Sequence, residues 1–205
     1  MQARAKPVDF LGSSLSDLRD FPLSARREAG YQIDKVQHGE EPDDWKPMKT
    51  IGVGVQEIWI QDEAGAFRVI YIAKLKDAVY VLHCFQKKTP KTSAQDIALA
   101  SKRYDASYAR CEMSKQRFKS VWDAIENTPG EAANMKARAE LMRAIAEHVR
   151  SSGMTQAEAA KTLGVTQPRI SDLMRGKIDV FSIDTLVNML AAAEIKLEMR
   201  LKKAA

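Results

Sequence analysis

Residues 154–177, MTQAEAAKTLGVTQPRISDLMRGK, carry at almost every position a residue that two short helices joined by a tight turn require. Thr155 followed three residues later by Glu158 is a capping-box pattern, so the spacing predicts a helix that starts here and runs through the alanines to Leu163. Gly164 stops it, because glycine reaches the left-handed backbone of a sharp exit without a Cβ clash. Thr166 can cap a second helix whose first turn tolerates Pro168, since the N–H that proline lacks would be unpaired there anyway. Gly176 ends that helix. Ile170 and Leu173, three apart, face inward with Val165, while Ala159 and Ala160 are small enough for the two helices to approach closely.

The face that remains is polar. Gln167, Arg169, Ser171 and Asp172 lie at the start and middle of the second helix, where a recognition helix sets side chains against base edges in the major groove. Glutamine can pair bidentately with adenine, and arginine with guanine. Thr166 opens that helix, and Gln156, Ser171, Arg175 and Lys177, at helix starts and ends, are placed to hold phosphates and so set register without reading sequence. The bland alternative is a helical hairpin that only packs. Capping, glycine turn and core spacing agree here, and the run resembles the helix-turn-helix of the Xre/Cro-like repressors, which implies operator DNA as a partner.

The whole chain has 205 residues, 45% hydrophobic and 29% charged, which is ordinary globular composition and enough for one large or two small domains. No apolar run approaches the roughly 18 residues of a transmembrane helix. The opening MQARAKPVDFLGSS lacks the apolar stretch of a secretion signal, so the cytoplasm is the expected location. Cys84 and Cys111 are the only cysteines, with no second Cys or His at metal-ligand spacing; they read as reduced thiols, and neither a metal nor another cofactor is expected. The net charge of +5 favours an anionic partner without naming one.

The chain changes character near residue 110. Before it, VQEIWI (55–60), AFRVIYIA (66–73) and AVYVLHCF (78–85) are rich in β-branched and aromatic residues and read as an antiparallel meander. Helical spacing precedes it over 13–21 and 24–36, and a last helix from about Ser93 to Tyr104 closes the unit. After residue 113 the pattern is helical almost throughout, over 118–125, 131–150, the pair above and 183–193. The fold class is therefore α+β: a domain over 1–112 with an antiparallel sheet and helices, then an all-α helix-turn-helix domain over 113–205 that ends in a short strand. That strand is IKLEMRL, where Ile195, Leu197, Met199 and Leu201 alternate with Lys196, Glu198 and Arg200. Pairing with the same strand of a second copy predicts a two-fold homodimer; pairing with the chain's own meander is the alternative.

Several pieces of the first half, SSLSDLRDFP, ARREAGYQIDKVQHG, DDWKPMKTIGVGVQEIWI, GAFRVIYIAK and YVLHCFQKKTPKT, together resemble the phage-derived, HigB-type toxins of the RelE superfamily. The second half, from Met113, resembles the HigA-type antitoxins, in the gene order of that family. The resemblance implies a metal-independent endonuclease that cuts messenger RNA on the ribosome, joined to the partner that contacts and neutralises it and represses its own promoter. The alternative is a DNA-binding regulator whose N-terminal domain keeps the fold and has lost the chemistry.

Cleavage by the 2′-hydroxyl needs that oxygen deprotonated, the phosphorus charge stabilised and the leaving 5′-oxygen protonated. Arg68 lies on a strand, and Lys87, Lys88 and Lys91 follow another; Arg68 and Lys87 are the first choices for charge stabilisation. His83 suits proton transfer near neutrality. It also falls in phase with Val79 and Val81 and out of phase with Tyr80 and Leu82, which equally fits a packed core histidine. Tyr71 and Phe85 can stack on an unpaired base or fill the core. Trp45 and Trp59 read as packing residues.

Overall fold

The computed structural model describes residues 5–73, 75, 77–89, 91–108 and 115–198. They form six strands and eight helices: β1 (Val8–Leu11), α1 (Ser14–Arg19), α2 (Leu23–Gln37), β2 (Trp45–Pro47), β3 (Val55–Asp62), β4 (Gly65–Ile72), β5 (Val79–Lys87), α3 (Ala94–Tyr108), β6 (Lys115–Phe118), α4 (Val121–Ile125), α5 (Pro129–Ser151), α6 (Gln156–Thr162), α7 (Gln167–Met174) and α8 (Ile183–Ala192). The chain divides into two compact units, Met1–Met135 and Lys136–Ala205. The architecture is the α+β class expected, a sheet with helices followed by a helical region.

In the first unit the sheet order is β2-β3-β4-β5-β1-β6. The meander β3–β4–β5 is antiparallel. Asp62 pairs with Gly65 across the two-residue turn, where the Ala64 N–H donates to Asp62 Oδ1 at 2.9 Å. The chain's first strand, β1, joins β5 in parallel, with Val8 opposite Val79. It is buried along its whole length, and a run of four residues without alternation gives little periodic signal.

The alternation on β5 is broken. Ile70 faces His83, Tyr71 faces Val81 and Ile72 faces Tyr80, so the two residues Ile70 and Tyr71 on β4 span three on β5 and Leu82 is the extra one. The Leu82 carbonyl accepts from Arg103 Nη1 at 2.8 Å. Because Ile70 and Ile72 share a face, so do His83 and Tyr80, three apart in sequence; this corrects the expectation that His83 lies in phase with Val81. That face carries the core cluster of Val55, Ile70, Ile72, Tyr80 and Leu82, against which Ile97, Ala100 and Tyr104 of α3 pack. On the other face Phe67 packs on Phe21, with ring centroids 4.7 Å apart.

Val121–Ile125 is helical, as read for 118–125, but the residues before it depart from the helical reading. Lys115–Phe118 adds antiparallel to the free edge of β1, and Arg117 makes a bidentate pair with Asp9, both bonds 2.7 Å. Ser120 then caps α4 by accepting the Trp122 N–H. Gln37 holds the connection from both ends of its amide, donating to the Lys119 carbonyl at 3.1 Å and accepting the Val121 N–H at 2.9 Å. Arg19 donates twice to the Ala124 carbonyl and Arg27 forks onto Glu126. Trp122, fully buried, and Ile125 sit over Gly30, where a Cβ would fall 2.5 Å from Ile125 Cδ1 and 3.0 Å from Trp122 Cζ3. The first compact unit thus runs past residue 112 and includes this strand and helix.

In the second unit α6 and α7 form the expected pair, followed by α8, which Ser182 caps through the Thr185 N–H. Ile195 to Glu198 takes no strand among the described residues, because a strand requires a hydrogen-bonded neighbour and none pairs with it. The rest of the expected C-terminal strand, Met199 to Leu201, lies outside the described residues.

Candidate functional site

The strand registers settle which side chains share the sheet face on which α3 packs. Trp59 lies opposite Arg68, Arg68 opposite Phe85, Ala66 opposite Lys87, and Lys46 opposite Glu57. Cations from three strands therefore gather on one indole: Arg68 Cζ lies 4.9 Å, Lys46 Nζ 5.2 Å and Lys87 Nζ 5.6 Å from the Trp59 ring centroid. Beneath them Glu57 is 0% exposed. It accepts from Trp59 Nε1 at 2.8 Å and from Thr92 Oγ1 at 3.1 Å, and pairs with Lys46 Nζ at 3.3 Å.

Arg68 is only 7% exposed. Its Nη1 donates to the Phe67 carbonyl at 2.7 Å, while Nε is buried without a hydrogen-bond partner among the described residues. Burial draws the guanidinium pKa down, against the opposing pull of Glu57 and Asp44, yet an arginine stays cationic under any ordinary condition. A buried donor left open on a permanent cation is a place for an anion.

Along β5 from Phe85, His83 stacks on that ring with centroids 5.1 Å apart. Its Nε2 lies 2.8 Å from Asp96 Oδ1, in the first turn of α3, and its Nδ1 is 3.7 Å from Asp17 Oδ2 with no hydrogen bond. With Asp96 ionised, Nε2 carries the proton and donates, which leaves Nδ1 of the neutral ring as the proton acceptor. Ser93 fixes Asp96 in turn, donating to its Oδ2 at 2.5 Å and accepting its backbone N–H at 3.1 Å.

The structure thus brings Arg68, Lys87, His83 and Phe85 onto one face. Lys88 and Lys91 are exposed beyond β5, in the loop whose Thr92 reaches back to Glu57. Tyr71 is corrected: it lies on the opposite face, 1% exposed, with its hydroxyl donating to Gln56 Oε1 at 2.5 Å, so it has no ring face to offer a base. Burial pushes that hydroxyl's pKa up and keeps it neutral. The Cys84 thiol, also buried, is pushed up likewise, which removes it as a nucleophile. Sequence reasoning missed Lys46, Glu57, Trp59, Asp17 and Asp96. The two-residue turn at 63–64 holds the signal for part of this: it pairs Asp62 with Gly65 and, counting back, Trp59 with Arg68.

In the second unit Thr155 and Glu158 close both halves of the capping box, at 2.8 Å and 3.3 Å. Gly164 and Gly176 take φ values of 66° and 75°. Ile170, Leu173, Ala159 and Ala160 are buried, Val165 half-buried. Thr166 stands at the N-cap of α7 with extended backbone, but its side chain makes no capping bond. Gln156, Thr166, Gln167, Arg169 and Arg175 are exposed; Ser171, Asp172 and Lys177 are half-buried. Arg169 donates to the Val180 carbonyl at 2.9 Å and lies 5.8 Å from the Phe181 ring, and Asp172 pairs with Arg175 at 3.5 Å and Lys177 at 3.9 Å. Asp172 is thus tied to neighbouring cations, an arrangement that orders Arg175 and Lys177.

Among the described residues no group of His, Cys, Asp and Glu could hold a metal ion, and no helix is long and apolar enough to cross a membrane. Residues 16–105 match the family model described as phage derived protein Gp49-like, and residues 125–202 match that of a helix-turn-helix domain. No curated protein matches the chain.

Proposed function

We propose, for a chain that joins a phage-derived Gp49-like toxin domain of the RelE/HigB type to an Xre-like helix-turn-helix domain, that the first unit is a messenger-RNA endonuclease and the second its DNA-binding, autorepressing restraint. The observation that carries the reading is Arg68, a buried cation with an open Nε, set on one sheet face with Lys87 and His83. In the reaction the 2′-oxygen attacks phosphorus, the bond from phosphorus to the 5′-oxygen breaks, and a cyclic phosphate and a 5′-hydroxyl result. Arg68 and Lys87 hold the extra charge on the phosphoryl oxygens. His83 moves a proton through Nδ1, with Asp96 on Nε2 setting its tautomer. Phe85 orients the imidazole by stacking.

The ribosome supplies the messenger RNA in this reading, and operator DNA is the partner of α6–α7, met by two copies of the chain related by a two-fold axis. The chain passes from one unit to the other within α5, and this covalent connection raises the restraint's effective concentration to about the millimolar range, so the intact chain is silent as a nuclease. A second reading, a DNA-binding regulator with an inert first unit, draws on the burial of Arg68 and His83, each 7% exposed.

The test is expression of residues 1–135, the compact unit, beside the full chain and an Arg68→Ala, Lys87→Ala version of the fragment. Growth arrest with messenger-RNA cleavage by the fragment, lost in the double variant and absent from the full chain, supports the nuclease. A folded, harmless fragment supports the regulator.

A further inference from the structure

Trp59 is held more firmly than a packing residue needs to be. It is half-buried at the edge of the α3 face, its indole N–H is bound by a fully buried carboxylate, and three cations from three different strands stand around its ring. Like charges converging on one ring repel, and Glu57 and Asp44 are the carboxylates that act on the buried member, Arg68. Lys46 keeps a 40% exposed side chain while tied to Glu57, so its charge faces solvent beside Arg68. Arg68, more than nine-tenths buried, keeps Nε open. A surplus of fixed positive charge with an unused buried donor and an aromatic divider matches the repeating anion of a nucleic-acid backbone better than a single small anion.

We propose that Lys46 and Trp59, positioned by Glu57, form a subsite for a phosphodiester of single-stranded RNA next to the one held by Arg68. This rests on the RNA-cleaving reading above and names residues that carry substrate through the same face. Trp59 keeps the Lys46 and Arg68 charges apart, from strands on either side of its own, so that each can serve a different phosphate. Glu57 is a positioning residue. It reaches Lys46, Trp59 and, through Thr92, the loop that carries Lys88 and Lys91. Two expectations for its removal have opposite signs. A mere counter-charge would, when neutralised, leave one more positive charge and tighter RNA binding; a positioning residue would, when lost, release Lys46 and Trp59 and weaken it.

The measurement is fluorescence anisotropy of a short labelled 2′-O-methyl oligouridylate, which cannot be cleaved, binding to residues 1–135, the compact first unit freed of its restraint, across a range of salt. The helix-turn-helix is then absent and does not contribute, and thermal melts establish that the fragment and each variant are folded. Lys46→Ala should weaken binding about 5-fold and lower the slope against log salt by about 0.7, the share of one phosphate contact on a single strand. Trp59→Leu should weaken it about 3-fold, as loss of cation–ring contacts implies. Glu57→Gln should weaken it despite the added charge. If Arg68→Ala weakens binding while Lys46→Ala and Trp59→Leu do not and Glu57→Gln tightens it, the subsite is overturned and the RNA reading stands. If Arg68→Ala has no effect either, both are overturned. Lys46 is exposed enough that its removal leaves the fold intact, so the test survives misfolding of the Glu57 variant.

Discussion

In α6–α7 the stabilising partners lie a few residues away: Thr155 with Glu158, the Val165 N–H with the Ala160 carbonyl, the Lys177 N–H with the Asp172 carbonyl. In β6–α4 they come from the far side of the unit. Asp9 meets Arg117 across 108 residues, Gln37 meets Val121 across 84, and Arg27 meets Glu126 across 99. The first element is built by its own sequence and brings its shape to whatever it meets. The second exists as a strand and helix only because the rest of its unit supplies an edge, a notch and two arginines, so the unit's stability and the segment's structure are one quantity.

Substitutions should therefore differ in reach. The largest effect is expected from Trp122→Ala, which empties a fully buried site over Gly30 and should cost the first unit about 3–5 kcal/mol in urea unfolding. Helical signal from the second unit should be unchanged. Equal loss in both units would break the contrast between them. Arg117→Ala comes next. It leaves the Asp9 carboxylate buried without its bidentate partner, and because Arg117 is itself half exposed the expected cost is about 2 kcal/mol rather than the full cost of a buried pair. Arg117→Lys should recover only part of this, since an ammonium cannot reproduce the fork.

Thr155→Ala is smaller and confined. It removes the side chain that accepts the Glu158 N–H and should cost the second unit about 1 kcal/mol, with the first unit's unfolding midpoint unmoved. The smallest effect is one of pH, at the corner where β5 meets the β1–β6 edge. Burial, then the bond to Asp77, pushes the Tyr80 hydroxyl up to about 12. An unfolded tyrosine titrates near 10. Below that pH both states keep the proton and the contribution is complete. As pH rises from 10 towards 12 the unfolded chain ionises first and stability falls. An alkaline melt series that follows tryptophan emission should show the loss, and Tyr80→Phe should reduce it, leaving the part contributed by the raised Tyr71 hydroxyl and Cys84 thiol.

The same contrast governs what the sequence reveals. The helix pair could be read residue by residue because capping box, glycine turns and inward spacing are all local signals. Two of the three cations of the cluster were within reach too, since Arg68 and Lys87 stand in strands whose composition is plain, and the turn at 63–64 fixes that Trp59 faces Arg68. The bulge at Leu82 was not within reach. One extra residue turned His83 towards Asp96, and nothing in VYVLHCF marks it, because the bulge carbonyl is met by Arg103, an arginine on a helix still to come in the chain. The strand at 115–118 was missed for a related reason: KQRF has no strand signature of its own, and becomes a strand only against the edge of β1.

RNA cleavage by the face that holds Arg68, Lys87 and His83 is the proposal on which the rest depends. Its most direct test is sequencing the ends of messenger RNA recovered from ribosomes incubated with purified residues 1–135, with and without Arg68→Ala, Lys87→Ala. New ends bearing a 5′-hydroxyl downstream and a cyclic phosphate upstream, produced without added metal and absent with the double variant, are expected. A folded fragment that leaves the message whole, or cuts it equally well without Arg68 and Lys87, would contradict the proposal.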